Sequence, residues 1–218
     1  MTKTKREDGV SPVVGVMLML VVTIIIAAMA ASFAGGLSAN EKVAPQSTFS
    51  VDYTAKITDT DKTNDIPNNP SKNNGLTFRL VSGDVVAMKD IAIQLQNGDK
   101  NIQFSMDTSL NTTNAAVDET KLDLLINNAG NKTYFAVSKG MKNMSEVVST
   151  GDSITLLADN SYDSTLATDV GIEKGRFLTW SPEGSSGTFK VQTNVPFEYT
   201  IFDTVSRKPI QTGTITIR

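Results

Sequence analysis

Residues 10–38 read VSPVVGVMLMLVVTIIIAAMAASFAGGLS, an unbroken run with no charged side chain, and nothing else in the chain resembles it. The rest is polar and divides into short alternating stretches. Over 48–57 the apolar residues Phe49, Val51, Tyr53, Ala55 and Ile57 fall at every second position, the period of a half-buried strand. Further strands are expected at 76–81, 85–87, 91–95, 134–137, 153–157, 177–180, 188–191, 197–201 and 214–217, parted by polar and glycine-containing turns. One helix is expected outside the apolar run, at 115–126 (AAVDETKLDLLI), with Asn114 as its cap and Gly130 beyond its end. A strand, a polar turn and a second alternating strand occur both in 76–95, around Ser82, Gly83 and Asp84, and in 197–217, around 206–209. This pattern predicts a sandwich of antiparallel sheets. The expected fold class is α+β: a long N-terminal apolar helix followed by a mainly antiparallel β-sandwich head.

The apolar run carries its own helix start. Ser11 suits the N-cap, and Pro12 suits the first helical position, where its missing N–H costs nothing. From Pro12 to Ala34 is about 23 residues, or roughly 34 Å of helix, enough to cross a hydrocarbon core of about 30 Å. Gly35 and Gly36 offer a stop, so the helix is expected over 10–36, a linker containing Pro45 over 37–46, and the head over 47–218. Lys3, Lys5 and Arg6 precede the run, whereas Glu41 and Lys42 are the first charges after it. That bias puts the N-terminus in the cytoplasm and the head outside. Three processing routes remain open. A secretory signal cut near Ala28-Met29-Ala30 would have an unusually long apolar region. A permanent anchor fits the length, and so does a leader cut on the cytoplasmic side that leaves the helix on the mature protein.

The run EDGVSPVVGVMLM, residues 7–19, closely resembles the N-terminus of archaeal type IV pilins, with a charged head, a small residue at the cut and a VSPVIGV-like opening. The resemblance spans about the first 30 residues, and Val14 stands where the family often has Ile. It implies that a prepilin peptidase cuts after Gly9, releasing residues 1–9 as a leader and making Val10 the mature N-terminus. It further implies a structural subunit, stored in membrane lipid, that polymerises with copies of itself through the pilus assembly machinery into a filament at the archaeal cell surface. Bacterial type IV pilins carry a glutamate near the new N-terminus; here the nearby polar side chain is Ser11, so a mechanism relying on that carboxylate does not carry over.

The helix also shows a packing pattern of its own. Ala27, Ala31 and Gly35 lie four residues apart, and Ala28, Ser32 and Gly36 form a second such row beside them. Rows of small residues let helix backbones approach closely, as in a bundle of identical helices. Thr23, polar in mid-helix, is expected to bond its own i−4 carbonyl. Phe33 is the sole aromatic residue of the run, which gives no basis for a stacked-ring conduction path.

Composition narrows the chemistry. The chain of 218 residues contains neither Cys nor His and carries a net charge of −3. Thiol nucleophiles, disulfides, Cys and His metal sites and imidazole-based triads are therefore excluded. The basic residues do not cluster beyond the N-terminal head, which argues against nucleic acid as a partner. Asp59, Asp61 and Asn64 suggest a calcium loop, but Asn64 and Pro70 stand where an EF-hand needs Gly and Glu, so a solvated acidic loop is the better reading. Asn111, Asn131 and Asn143 each begin a glycan acceptor triplet, in numbers that chance alone would give in so Asn- and Thr-rich a chain. Archaeal pilins are often glycosylated, and the resemblance raises the expectation to that extent. No catalytic constellation stands out: Gly83, Gly98 and Gly151 are isolated, the Gly184-Ser185-Ser186-Gly187 run lacks a following Lys, and Asp118 and Glu119 are adjacent, so they do not share a helix face. Neither a cofactor nor a metal is expected. The competing function is a single-span surface protein whose exterior β domain binds a ligand or partner without polymerising, and the mature N-terminus separates the two.

Overall fold

A computed structural model describes residues 12–39, 42–57, 70–110, 122–138, 147–165, 173–182, 184–185 and 187–218. The chain divides after Lys42 into two compact units. The first contains α1, Pro12–Ala39. It runs through Gly35 and Gly36, so the expected stop there, and the linker from residue 37, are corrected. A glycine inside a helix costs about 1 kcal/mol relative to alanine, which weakens the helix without ending it.

The second unit carries the strands β1 (Ser47–Ala55), β2 (Ser71–Gly83), β3 (Val86–Ala87), β4 (Ile91–Asn97), β5 (Lys100–Ser105), β6 (Leu122–Ile126), β7 (Lys132–Ser138), β8 (Val147–Val148), β9 (Ser153–Ala158), β10 (Asn160–Asp163), β11 (Arg176–Trp180), β12 (Phe189–Gln192), β13 (Pro196–Asp203) and β14 (Lys208–Thr216). A short 3-10 turn, Met88–Asp90, precedes β4. Among the described residues the pairings are antiparallel, in sheets ordered β1-β2-β9-β7-β6, β14-β13-β4-β5, β10-β11-β12 and β3-β8. The class is α+β with a β-rich head.

Alternation explains which faces meet. In β13 Phe197, Tyr199 and Ile201 turn inward between exposed or half-exposed Glu198 and Thr200; in β2 Leu76, Phe78 and Leu80 are buried. Phe78 meets Tyr199 edge-on with ring centroids 5.7 Å apart, and Phe104 of β5 meets Tyr134 of β7 at 5.1 Å. These pairs join the five-stranded sheet to the four-stranded one, each worth about 0.5–1.5 kcal/mol beyond the area it buries. One continuous core contains residues of both sheets together with Leu178 and Trp180 of β11 and Phe189 and Val191 of β12. β7 and β9 are buried on both faces, which is why they read as near-continuous apolar runs. At Asp159 the chain leaves β9 of one sheet and enters β10 of another, turning a corner of the sandwich.

The seam between the edge strands β1 and β14 is closed by side chains. Gln211 Oε1 accepts the Phe49 N–H at 2.7 Å, and Gln211 Nε2 donates to the Phe49 carbonyl at 2.9 Å and to Tyr199 Oη at 2.8 Å. A glutamine amide thus stands in for a neighbouring strand at the free edge of β1, blunting a site of edge-to-edge pairing. Gly213 lies under Tyr199, where a Cβ would come within 2.5 Å of its Oη.

Several expectations are corrected. The helix expected at 115–126 is a strand over Leu122–Ile126, paired with Lys132–Ser138, while 115–121 lies outside the described residues. Pairing with β7 outweighs the weak helical propensity of LDLLI, and Gly130, taken as a helix stop, has φ 81 in the connecting turn. The turn expected at 206–209 is shorter, since Lys208 and Pro209 already belong to β14. Pro209 is tolerated because β14 is an edge strand and the register shifts beside it, between Ile201 and Phe202. The runs at 76–81 and 91–95 do not pair with each other but enter different sheets. Strands β5, β8 and β10 were not anticipated. For β5 the signal was present: the two-residue loop Gly98-Asp99 follows Asn97, and Gly98 has φ 60.

Candidate functional site

α1 is a 28-residue helix, about 42 Å long, with no acidic residue in its first turn and no basic residue in its last. Within it Val13–Phe33 has a mean hydropathy of 2.9 and no buried residue, so the segment is long and apolar enough to cross a membrane. The apolar side chains leave no polar face: Val16, Met17, Leu18 and Met19 occupy successive directions around the axis, and all are exposed. Thr23 satisfies its hydroxyl by donating to the Leu20 carbonyl at 2.9 Å. That partner is at i−3 rather than the expected i−4, a choice open to a helical threonine hydroxyl.

The helix brings part of the expected packing set together. Ala27 and Ala31, and beside them Ala28 and Ser32, lie on adjacent rows one turn apart and are exposed. Gly35 and Gly36 continue the rows along the helical backbone. Pro12 belongs to α1, whereas Gly9, Val10 and Ser11 lie outside the described residues.

The described residues of the head form no comparable apolar surface. Two open hollows flank the β4–β5 turn, one of about 360 Å³ beside Ile102, Ser185 and Phe189, the other of about 410 Å³ beside Glu173, Phe177 and Lys190. In the second, Lys190 pairs with Glu173 and stands 5.2 Å from the centre of the Phe177 ring. In the first, the Ser185 hydroxyl is engaged with the Pro182 and Gly187 carbonyls, and Thr188 Oγ1 accepts the Ser181 hydroxyl. Among the described residues no group of three or more Asp, Glu, His or Cys is placed to hold a metal. Asp59, Asp61 and Asn64 of the expected acidic loop, and Asp118 and Glu119, lie outside them.

Asp159 is one of two buried carboxylates among the described residues, with Asp203, and its role is structural. Its two oxygens accept the Tyr134 hydroxyl at 3.1 Å each, and Oδ2 accepts the Ser181 N–H at 2.6 Å. Nearby, Trp180 Nε1 donates to the Leu157 carbonyl at 3.0 Å. Burial, and then the Asp159 charge, push the Tyr134 hydroxyl far above its usual range, so it stays a neutral donor. The group pins the corner at which the chain changes sheets.

Of the glycan acceptor triplets, Asn131 is exposed in the β6–β7 turn, while Asn111 and Asn143 lie outside the described residues.

Residues 8–49 match the family archaeal type IV pilin, N-terminal. The match takes in α1 and ends at Phe49, inside β1. A search of curated proteins found no match. The pilin family is structural and non-enzymatic, and a match to its N-terminal domain, with the long apolar helix that the match contains, supports a pilin-like membrane-anchored subunit.

Proposed function

We propose that this chain is the precursor of a type IV pilus subunit that polymerises through α1 into a filament at the archaeal cell surface. The observation that carries this reading is a pilin-type helix that is apolar in every direction. A helix of that kind is at home in lipid and equally at home among copies of itself, because each CH₂ kept from water contributes about 0.8 kcal/mol in either setting. The rows of Ala27 and Ala31 and of Ala28 and Ser32 favour close backbone approach once lipid is left behind.

In this reading residues 1–9 remain in the cytoplasm, a prepilin peptidase cuts between Gly9 and Val10, and the β-rich head faces outside. Partners are then other copies of the chain, the peptidase, the assembly machinery and, before assembly, membrane lipid. The test is the N-terminus of the mature protein together with electron microscopy of material sheared from cells. Val10 as first residue, on a chain found in filaments, is the expected result. A start near residue 31 would indicate a secreted module, an intact N-terminus would indicate a static anchor, and Val10 without filaments would indicate a pilin-like protein that does not polymerise.

A further inference from the structure

The ribbon of β3 and β8 is apolar on both faces. Val86 lies opposite Val148, and both are buried; Ala87, half-buried, lies opposite Val147, which is 44% exposed. Residues opposite each other in an antiparallel pair share a face, so Ala87 and Val147 look out where Val86 and Val148 look in. Val85, just ahead of β3, is 60% exposed. The start of the head is tied to this ribbon. The Gln46 N–H donates to Asp84 Oδ2 at 2.9 Å, the Asp84 N–H donates to the Gln46 carbonyl at 3.0 Å, and the Ser47 hydroxyl donates to the Asp84 carbonyl at 2.7 Å. Ala44 is buried, whereas Val43 is 76% exposed.

Four apolar side chains are too few for a stable protein interface, which takes roughly 20–30 residues a side. They suffice for a surface that is held nearby, because a tethered contact forms at high effective concentration. Chain length says which surface that is. Past Phe33, the last residue of the apolar span, residues 34–39 add about 9 Å of helix, against a headgroup layer roughly 5–8 Å deep. From Ala39 to Val43 the chain reaches at most about 14 Å. We propose that in the membrane-anchored precursor the outward face of the β3–β8 ribbon, Val85, Ala87 and Val147 together with Val43, docks on the lipid surface at the boundary of headgroups and acyl chains. Apolar side chains bind at that depth. Lys42, next to Val43, and Lys89, just beyond Ala87, are exposed, and can lay their stems along the boundary with their ammonium groups among lipid phosphates. The docking rests on α1 as a membrane span and not on polymerisation.

The experiment uses the full chain, which has no cysteine of its own, in phosphatidylcholine vesicles at low protein density. The variants Leu20→Cys, Val85→Cys and Asp99→Cys carry the same fluorophore, and quenching is read from lipids with a nitroxide either high on the acyl chain or deep within it. Position 20 marks the span, and position 99 is exposed in the β4–β5 turn, at the far end of β4 from the ribbon. The label at 85 should be quenched by the shallow nitroxide at least about threefold more than the label at 99. Adding Val147→Asp should abolish that difference, with Val43→Asp in its place should Val147→Asp disturb the thermal transition of the head. Equal quenching at 85 and 99, while position 20 is quenched by the deep nitroxide, would overturn the docking and leave the span standing. No quenching at 20 would overturn both. Shielding of position 85 from aqueous iodide that arises only as chains crowd the vesicle, without quenching by lipid, would overturn the docking and give the face to a second copy.

Discussion

At the scale of single residues, the side chains with most at stake are those that keep polar groups satisfied inside the head. Tyr134 is fully buried and donates to Asp159, which also holds the Ser181 N–H. Tyr134→Phe keeps the ring against Phe104 but leaves the carboxylate short of a donor, at a cost of about 1–3 kcal/mol. Urea unfolding of the full chain in detergent should show that loss with an unchanged slope. The same tyrosine has a pH signature. Its ionisation is raised in the folded state, so its contribution is complete below about pH 10, where the unfolded tyrosine is still protonated, and declines as pH rises beyond that. Alkaline denaturation of Tyr134→Phe should therefore be less steep than that of the parent chain. None of this network was legible beforehand. Tyr134 and Asp159 are 25 positions apart, and no spacing rule links a strand tyrosine to a carboxylate at a sheet corner.

At the scale of elements, the helix was legible and the strand partners were not. Twenty-one consecutive positions of α1 pass for a membrane span on composition alone, and chain length along a helix is a local property. Ala31→Phe should test the small-residue rows: the variant should still fractionate with membranes and resist alkaline extraction, while filament yield from sheared cells falls by at least about tenfold. Full filament yield would remove the rows from the account. In the head, Gln211→Leu keeps the volume near β14 but strips the Phe49 N–H and carbonyl of their amide partner and leaves Tyr199 Oη without its donor from Gln211. A loss of about 1–3 kcal/mol on denaturation is expected, together with faster hydrogen exchange at Phe49. The reading of 115–126 as a helix went astray at this same scale. LDLLI is short enough to suit either helix or strand, and only β7, reached through a five-residue turn at 127–131, decides between them.

At the scale of the whole molecule, the chain is two units, and the core described above lies entirely within residues 43–218. A fragment beginning at Val43 should accordingly fold alone in water, with one cooperative thermal transition within a few degrees of that of the full chain in detergent. Loss of the cooperative transition would show that the head depends on residues before Val43. By itself the sequence determined the apolar helix, the pilin-type opening of that helix, the absence of thiol and imidazole chemistry, and which residues of most strands face inward. These are properties of period, length and composition, and each can be read within a window of a few residues. Tertiary structure alone decided which strands pair, that LDLLI is β6, that Gln211 seals the edge of β1, and that the Thr133 hydroxyl is enclosed while Asn131 stays outside. The physical reason is that a period of two states which face is covered but not by what, and strand pairing joins residues whose separation along the chain carries no signal.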